Sequence, residues 1–287
     1  MVFNPLKVSL AIATPDVNID LPVALLKGTF EERLEKAFRL GYNGVELMVA
    51  RPAHLNAAEI SQLIKSRALQ VSAVSSGAVY MMDRLTLLAA DKSTSSRAGA
   101  RLLELVDFAA DVDAPLVTIG GFRGRLAWVG GTAAEIRFME IIEQACDHAA
   151  NQGVLLAIEP LNRYETDLIQ TVAEALDFIE KIDSPVLGLL IDTFHANIEE
   201  PNPMDSFRQA MQAGRLYHVH LGDSNRRPPG QGHFDFPAMV RVLHETGYSG
   251  YLSAELLPFP DPDMAAAMTI QFMRQLAPGA AQGGGYK

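Results

Sequence analysis

Four segments of the 287-residue chain bring a metal-binding or proton-moving side chain to the end of a short apolar run. Glu159 closes the run in VLLAIEPLNRYE, Asp192 closes LGLLIDTFH, His218 and His220 lie in YHVHLGD, and Glu255 closes YLSAELLP. Three carboxylates and one imidazole make an oxygen-rich donor set without thiolate. Such a set suits one divalent cation, Mn²⁺ foremost with Mg²⁺ or Co²⁺ as alternatives, and disfavours structural zinc. A single buried acid is readily explained by a neighbouring base, and a single buried histidine by a core hydrogen bond. Four such residues on successive apolar runs are not. His218 and His220 are two apart, so in a strand they face the same side. Only the one nearer the strand end reaches a mouth, which selects His220 as the ligand.

The apolar runs that must position these groups number eight: Val8–Ala13, Gly44–Val49, Leu69–Val74, Leu116–Ile119, Val154–Ile158, Val186–Ile191, Leu216–Leu221 and Tyr251–Ala254. Near-continuous apolar runs of this length mark parallel strands covered on both faces. Between them the apolar residues recur with helical spacing, as in Phe30, Leu34, Ala37 and Phe38, or Phe236, Met239, Val240 and Leu243. Thr29–Glu32, Thr132–Glu135 and Thr171–Glu174 have capping-box spacing, Asn56–Glu59 resembles it, and Gly41, Gly153 and Gly247 suit left-handed helix stops. The alternation predicts a single (β/α)8 barrel over residues 1–277, followed by a Gly- and Ala-rich loose tail over 278–287. A doubly wound sheet more often carries a Gly-rich phosphate turn after its first strand, and ATPDVN has no glycine. In such barrels the chemistry gathers where the strands end.

Composition narrows the function. Net charge is −10, from 34 acids against 24 bases. That disfavours wrapping nucleic acid, whose affinity comes mostly from Lys and Arg neutralising phosphates. No run approaches the ~20 apolar residues of a membrane span. A single cysteine, Cys146, and no leader-like start fit a reducing cytoplasm.

The motifs carry a resemblance. EPLNRYET at 159–166, DTFHANIEE at 192–200 and HLGDSNRRPPGQGH at 220–233 resemble the xylose isomerase-like sugar isomerase and epimerase barrels, and within them the ketose 3-epimerases of tagatose and psicose type. IGGFRGR at 119–125 and GHFDF at 232–236 are similar to the branch acting on keto-acids, the 5-keto-L-gluconate epimerases. The resemblance runs from the first strand to Glu255. It implies Glu159, Asp192, His220 and Glu255 as ligands of one divalent ion, and Glu159 and Glu255 as the acid–base pair. Glu165, His195 and Arg226 would hold substrate oxygens. It also implies a small-molecule sugar or sugar-acid substrate and a homo-oligomer, dimer or tetramer. Asp223 departs from the sugar 3-epimerases, which usually carry Glu there, and is assigned no catalytic role.

Inverting a carbon beside a ketone needs one proton-transfer group on each face and a means of neutralising the enediolate. An aldose–ketose isomerase of hydroxypyruvate isomerase or xylose isomerase type needs only one such group and the same ligands, so the sequence leaves it open. A hydrolase of the endonuclease IV type shares this barrel but needs a cluster of metals, extra ligands and a basic face. With seven His and a pI near 5.2, the sequence argues against it.

Arginines follow several strand ends: Arg51, Arg123, Arg125, Arg226 and Arg227. A guanidinium grips a carboxylate through two bonds, so Arg123 and Arg226 are read as substrate contacts, pointing to a keto-aldonate. His233, in a Gly-rich loop over the mouth, is read as a further contact. Trp128 and Phe194 are placed to stack on a sugar or cover the site, and Trp128 reads equally well as a buried anchor. His54, His148 and His244 fall on helices or their approaches and read as surface residues.

Overall fold

In this computed structural model, residues 6–129 and 131–276 are described. The tail expected over 278–287 lies outside them. Eight strands run parallel in chain order: β1 (Lys7–Ala13), β2 (Gly44–Met48), β3 (Gln70–Ser75), β4 (Leu116–Ile119), β5 (Leu155–Ile158), β6 (Leu187–Asp192), β7 (Leu216–Leu221) and β8 (Tyr251–Ala254). Each pairs with the next, and β8 pairs back with β1, so the sheet closes into a barrel. Each predicted run contains its strand to within a residue or two at either end.

The helices among the described residues are α1 (Phe30–Leu40), α2 (Ala57–Lys65), α3 (Gly77–Asp83), α4 (Lys92–Asp111), α5 (Thr132–Gln152), α6 (Val172–Ile182), α7 (Thr193–Glu199), α8 (Pro203–Gln212), α9 (Phe236–Glu245) and α10 (Pro262–Gln275). Their starts follow local chemistry. Thr29 caps α1 in a full capping box with Glu32. Asn56 and Thr171 cap α2 and α6 through their side chains. The third box does not form: Thr132 is already inside α5, whose cap is Gly131 with no side-chain bond. Gly41 and Gly153 end α1 and α5 in the left-handed region that favours glycine.

Strand alternation divides the core. Leu10, Ile12, Val45, Leu47, Leu156 and Ile158 face outward and join Leu34, Ile64, Phe138 and Phe236 from the helices in one continuous cluster. The inner face is built from smaller side chains. Register sets Ala11 beside Glu46, Glu46 beside Ala73, Ser9 beside Ser253, and Ser253 beside His220. Parallel register partners share a face, so these residues line the barrel's interior. The small ones leave room for Glu46, His218 and His220, all fully buried or nearly so.

Candidate active site

Glu159 immediately follows β5, Asp192 ends β6, His220 is the penultimate residue of β7, and Glu255 follows β8. One ligand atom from each lies within 4.8 Å of every other, and all four residues are buried. His220 Nδ1 stands 3.5 Å from Glu159 Oε1 and 3.6 Å from Glu255 Oε2, so both glutamates approach one imidazole nitrogen. Local features aim these groups. Asp192 spends Oδ1 capping α7, accepting from the Phe194 amide at 2.7 Å, which leaves Oδ2 for the centre. Gly120, just past β4, is glycine because a Cβ there would collide with Glu159 Oε2.

Buried polar atoms without partners are rare and call for a cause. Here Glu159 Oε1, Asp192 Oδ2 and His220 Nδ1 are all buried without a hydrogen bond. All three converge on one point: two carboxylate oxygens with lone pairs free for a cation, and an imidazole nitrogen that becomes a ligand once it gives up its proton. The donor set and its orphaned atoms therefore fit a divalent ion held by Glu159, Asp192, His220 and Glu255.

Beside this centre stand the groups suited to hold a ligand. His195 is buried on α7; its Nδ1 accepts from the Asn162 backbone amide at 3.3 Å and lies 2.7 Å from Asn162 Nδ2. Both of these nitrogens are N–H donors, so the ring proton sits on Nε2. That atom is 3.9 Å from Asp192 Oδ2 and has no hydrogen bond. Burial drives the His195 pKa down to about 3, so the ring is a neutral donor. Arg226 donates from Nη1 to Glu165 Oε1 at 3.1 Å and from Nη2 to Glu255 Oε2 at 3.2 Å. Its guanidinium lies over the Phe194 ring at 5.1 Å, and its buried Nε has no partner.

Charge separates the carboxylates. Burial pushes Asp192 up to about 8, with Arg226 opposing and Glu159 adding to the rise. Burial also raises Glu255, against the pull of His220. For Glu159 burial is outweighed by the nearby His220, with His195 and Arg226 adding to its pull, and the carboxyl is held below the usual carboxylate range. His220 lies well above the ordinary imidazole range: burial lowers it, but Glu46, Glu255 and Glu159 prevail. Carboxyls driven apart by their surroundings are a mark of acid–base sites.

A family model described as xylose isomerase-like TIM barrel matches residues 34–276. The chain belongs to the xylose isomerase-like TIM barrel family. The D-psicose 3-epimerase of Enterocloster bolteae is 36% identical over 149 residues, which is 52% of this chain and about half, 47%, of that relative. The L-ribulose 3-epimerase of Mesorhizobium japonicum is 32% identical over 234 residues, 78% of this chain and 74% of the relative. The crystal structure of D-psicose 3-epimerase with D-tagatose from Clostridium cellulolyticum superposes with TM-score 0.78 at 20% identity, covering 94% of this chain and 99% of that one. These relatives are named as epimerases, which are isomerase-class enzymes.

Not every expected contact reaches the centre of this xylose isomerase-like barrel. Arg123 is fully buried, and all five of its N–H groups face backbone carbonyls. Nε donates to Leu168 O, Nη1 to Gly120 O and Glu159 O, and Nη2 to Leu168 O and Ile169 O. No N–H remains for a substrate, which corrects the expectation that Arg123 grips one. His233 is exposed and its ring bonds to the Ser224 hydroxyl at 2.9 Å. Arg51 pairs with Asp83, and Arg125 bonds the carbonyls of Tyr164 and Glu165. Asp223 accepts from the amides of Ser224, Gly230 and Phe234, shaping its loop. Trp128, 47% exposed, stacks on Tyr80 at 5.6 Å. Its loop is pinned to the loop after β5 by Asp167, which accepts from Leu126 N and Ala127 N. Phe194 is half-buried beneath Arg226. His54, His148 and His244 belong to neither group of metal-competent side chains among the described residues.

Sequence reasoning missed Glu46 and Asn162. Asn162 sits inside the quoted EPLNRYE motif. Glu46 was signalled only as the one acid in the apolar run GVELM.

Proposed function

We propose that this chain is a divalent-metal-dependent epimerase that inverts C3, the carbon beside the ketone, of a ketose. The observation that carries the reading is the convergence of Glu159 and Glu255, from the ends of β5 and β8, on His220 Nδ1 at 3.5 and 3.6 Å within the four-ligand cluster. When bound there, a divalent ion supplies Lewis acidity toward the ketone and adjacent hydroxyl oxygens, worth several kcal/mol of charge stabilisation. One glutamate takes the C3 proton and leaves an enediolate; the other returns a proton to the opposite face. The roles exchange in the reverse direction. Glu159, held ionised, suits the base for one epimer, and Glu255, raised by burial, suits the acid. His195 Nε2–H, Arg226 and Glu165 orient the sugar's oxygens.

The arginines bear on substrate class. Arg51 is committed to Asp83, Arg123 and Arg125 to backbone carbonyls, and Arg226 to Glu165 and Glu255, while the exposed Arg227 lies over the Phe259 ring at 4.9 Å. This favours a neutral ketose over the keto-aldonate expected from Arg123. The test is proton exchange. Protein loaded with Mn²⁺ is incubated in D₂O with a panel of ketoses and keto-acids, freed of metal, and the sugars are read by NMR. Deuterium at C3 with appearance of the C3 epimer is the expected result. Deuterium only in an aldose–ketose pair would make the protein an isomerase, and no exchange across the panel would overturn the reading.

A further inference from the structure

Glu46 reaches the centre from the far side of the barrel. It is completely buried on β2, between the small side chains of Ala11 and Ala73. Its carboxylate crosses the interior to β7. His218 Nε2 lies 3.0 Å from Glu46 Oε2, and His220 Nε2 lies 3.1 Å from both oxygens. Among the described residues its ion-pair partners are these two imidazoles, with no Lys or Arg. His220 thus presents Nε2 to Glu46 and Nδ1 to Glu159 and Glu255.

The two ring nitrogens are linked through one proton. A carboxylate only accepts, so Glu46 keeps a proton on His220 Nε2, and the proton displaced when a metal binds is the one on Nδ1, whose lone pair then faces the cluster. His218 donates to the same carboxylate and holds it in place. The rings of His218 and His220 meet edge to face, with centroids 5.3 Å apart. We infer that Glu46 is a positioning residue for metal binding: it sets the tautomer and orientation of His220, with His218 bracing it. This rests on the reading that the four-residue centre holds a divalent ion. Outer carboxylates of this kind make an imidazole a better ligand, and losing one costs roughly 10–100-fold in metal affinity.

The test compares full-length wild type with Glu46→Gln. Glutamine keeps the shape but has one accepting oxygen and one donating NH₂ where Glu46 offers two acceptors. One imidazole must then turn its Nε2–H against a donor or move its proton to Nδ1. Mn²⁺ affinity is measured by competition with a chelator, and bound metal is counted per chain. The account expects one equivalent in wild type and a Kd weakened roughly 10–100-fold in E46Q. A second measurement does not depend on a variant folding. In wild type labelled with ¹⁵N-histidine and loaded with diamagnetic Zn²⁺, His220 is expected to carry its proton on Nε2. Equal affinity in wild type and E46Q would overturn the positioning role while leaving the metal centre intact. So would an unprotonated His220 Nε2, or a second equivalent of metal lost in His218→Phe. No metal in wild type would overturn both.

Discussion

Arg123→Met separates a structural arginine from a substrate-binding one. The substitution removes five hydrogen bonds from a charged donor to the carbonyls of Gly120, Glu159, Leu168 and Ile169. At the lower end, about 1.5 kcal/mol each, these bonds contribute roughly 7 kcal/mol. Burying the cation opposes them. Burial pulls the guanidinium from 12.5 to about 10, a cost of about 3 kcal/mol. The bonds prevail by about 4 kcal/mol. An unfolding entropy of ~2.1 cal/mol/K per residue gives about 0.6 kcal/mol/K for this chain, so the melting temperature should fall by roughly 7 °C. Calorimetry reads the melting temperature. Steady-state kinetics on a neutral ketose and on an acidic analogue read specificity, and the ratio of their KM values should not change. An unaltered melting temperature with a selective rise in KM for the acidic sugar would refute the reasoning and return Arg123 to the substrate.

Three further outcomes follow from the same geometry. Stripping divalent ions with EDTA should lower the melting temperature by roughly 4–5 °C relative to protein at 100-fold excess of metal over Kd, since that occupancy is worth about 2.7 kcal/mol; an unchanged thermogram counts against the site. The metal effect should grow with pH. Asp192 is raised to about 8 and Glu255 is also raised, so these two carboxyls hold more protons in the metal-free native state than in the unfolded chain, and their contribution to stability falls as pH climbs from about 4 toward about 8. A bound cation displaces those protons, so the metal-induced gain in melting temperature should widen between about pH 6 and 8; a gain that is constant or narrows contradicts the assignment. His195→Phe removes a neutral donor whose loss is worth about 1–3 kcal/mol, so kcat/KM should fall roughly 5- to 160-fold with metal stoichiometry unchanged. Retained kcat/KM would remove His195 from the ligand-binding set.

The sequence made the barrel and its centre legible for the same reason. A carboxylate or imidazole at the end of an apolar run is simultaneously a strand-end mark and a site mark, as for Glu159, Asp192, His220 and Glu255. What stayed hidden depended on where distant chain segments come to rest. Arg123 has the sequence context of a substrate contact, but the segment at Leu168–Ile169 folds over its guanidinium and takes its donors. His233 lies in the expected loop, yet the Ser224 bond holds it at the solvent. Thr132 has capping-box spacing, but α5 begins one residue too early for it to serve as cap. Glu46 passed as one more residue of a strand because its partners are more than 170 positions away on β7. Only closure of the barrel brings them together.

The central claim is a single cation held among Glu159, Asp192, His220 and Glu255. Anomalous diffraction at the manganese edge, from crystals grown with Mn²⁺, tests it directly. The account predicts one peak per chain, bonded to His220 Nδ1 and to an oxygen from each of the three carboxylates. A peak at Glu46 and His218 instead, or none near these residues at full occupancy in solution, would contradict it.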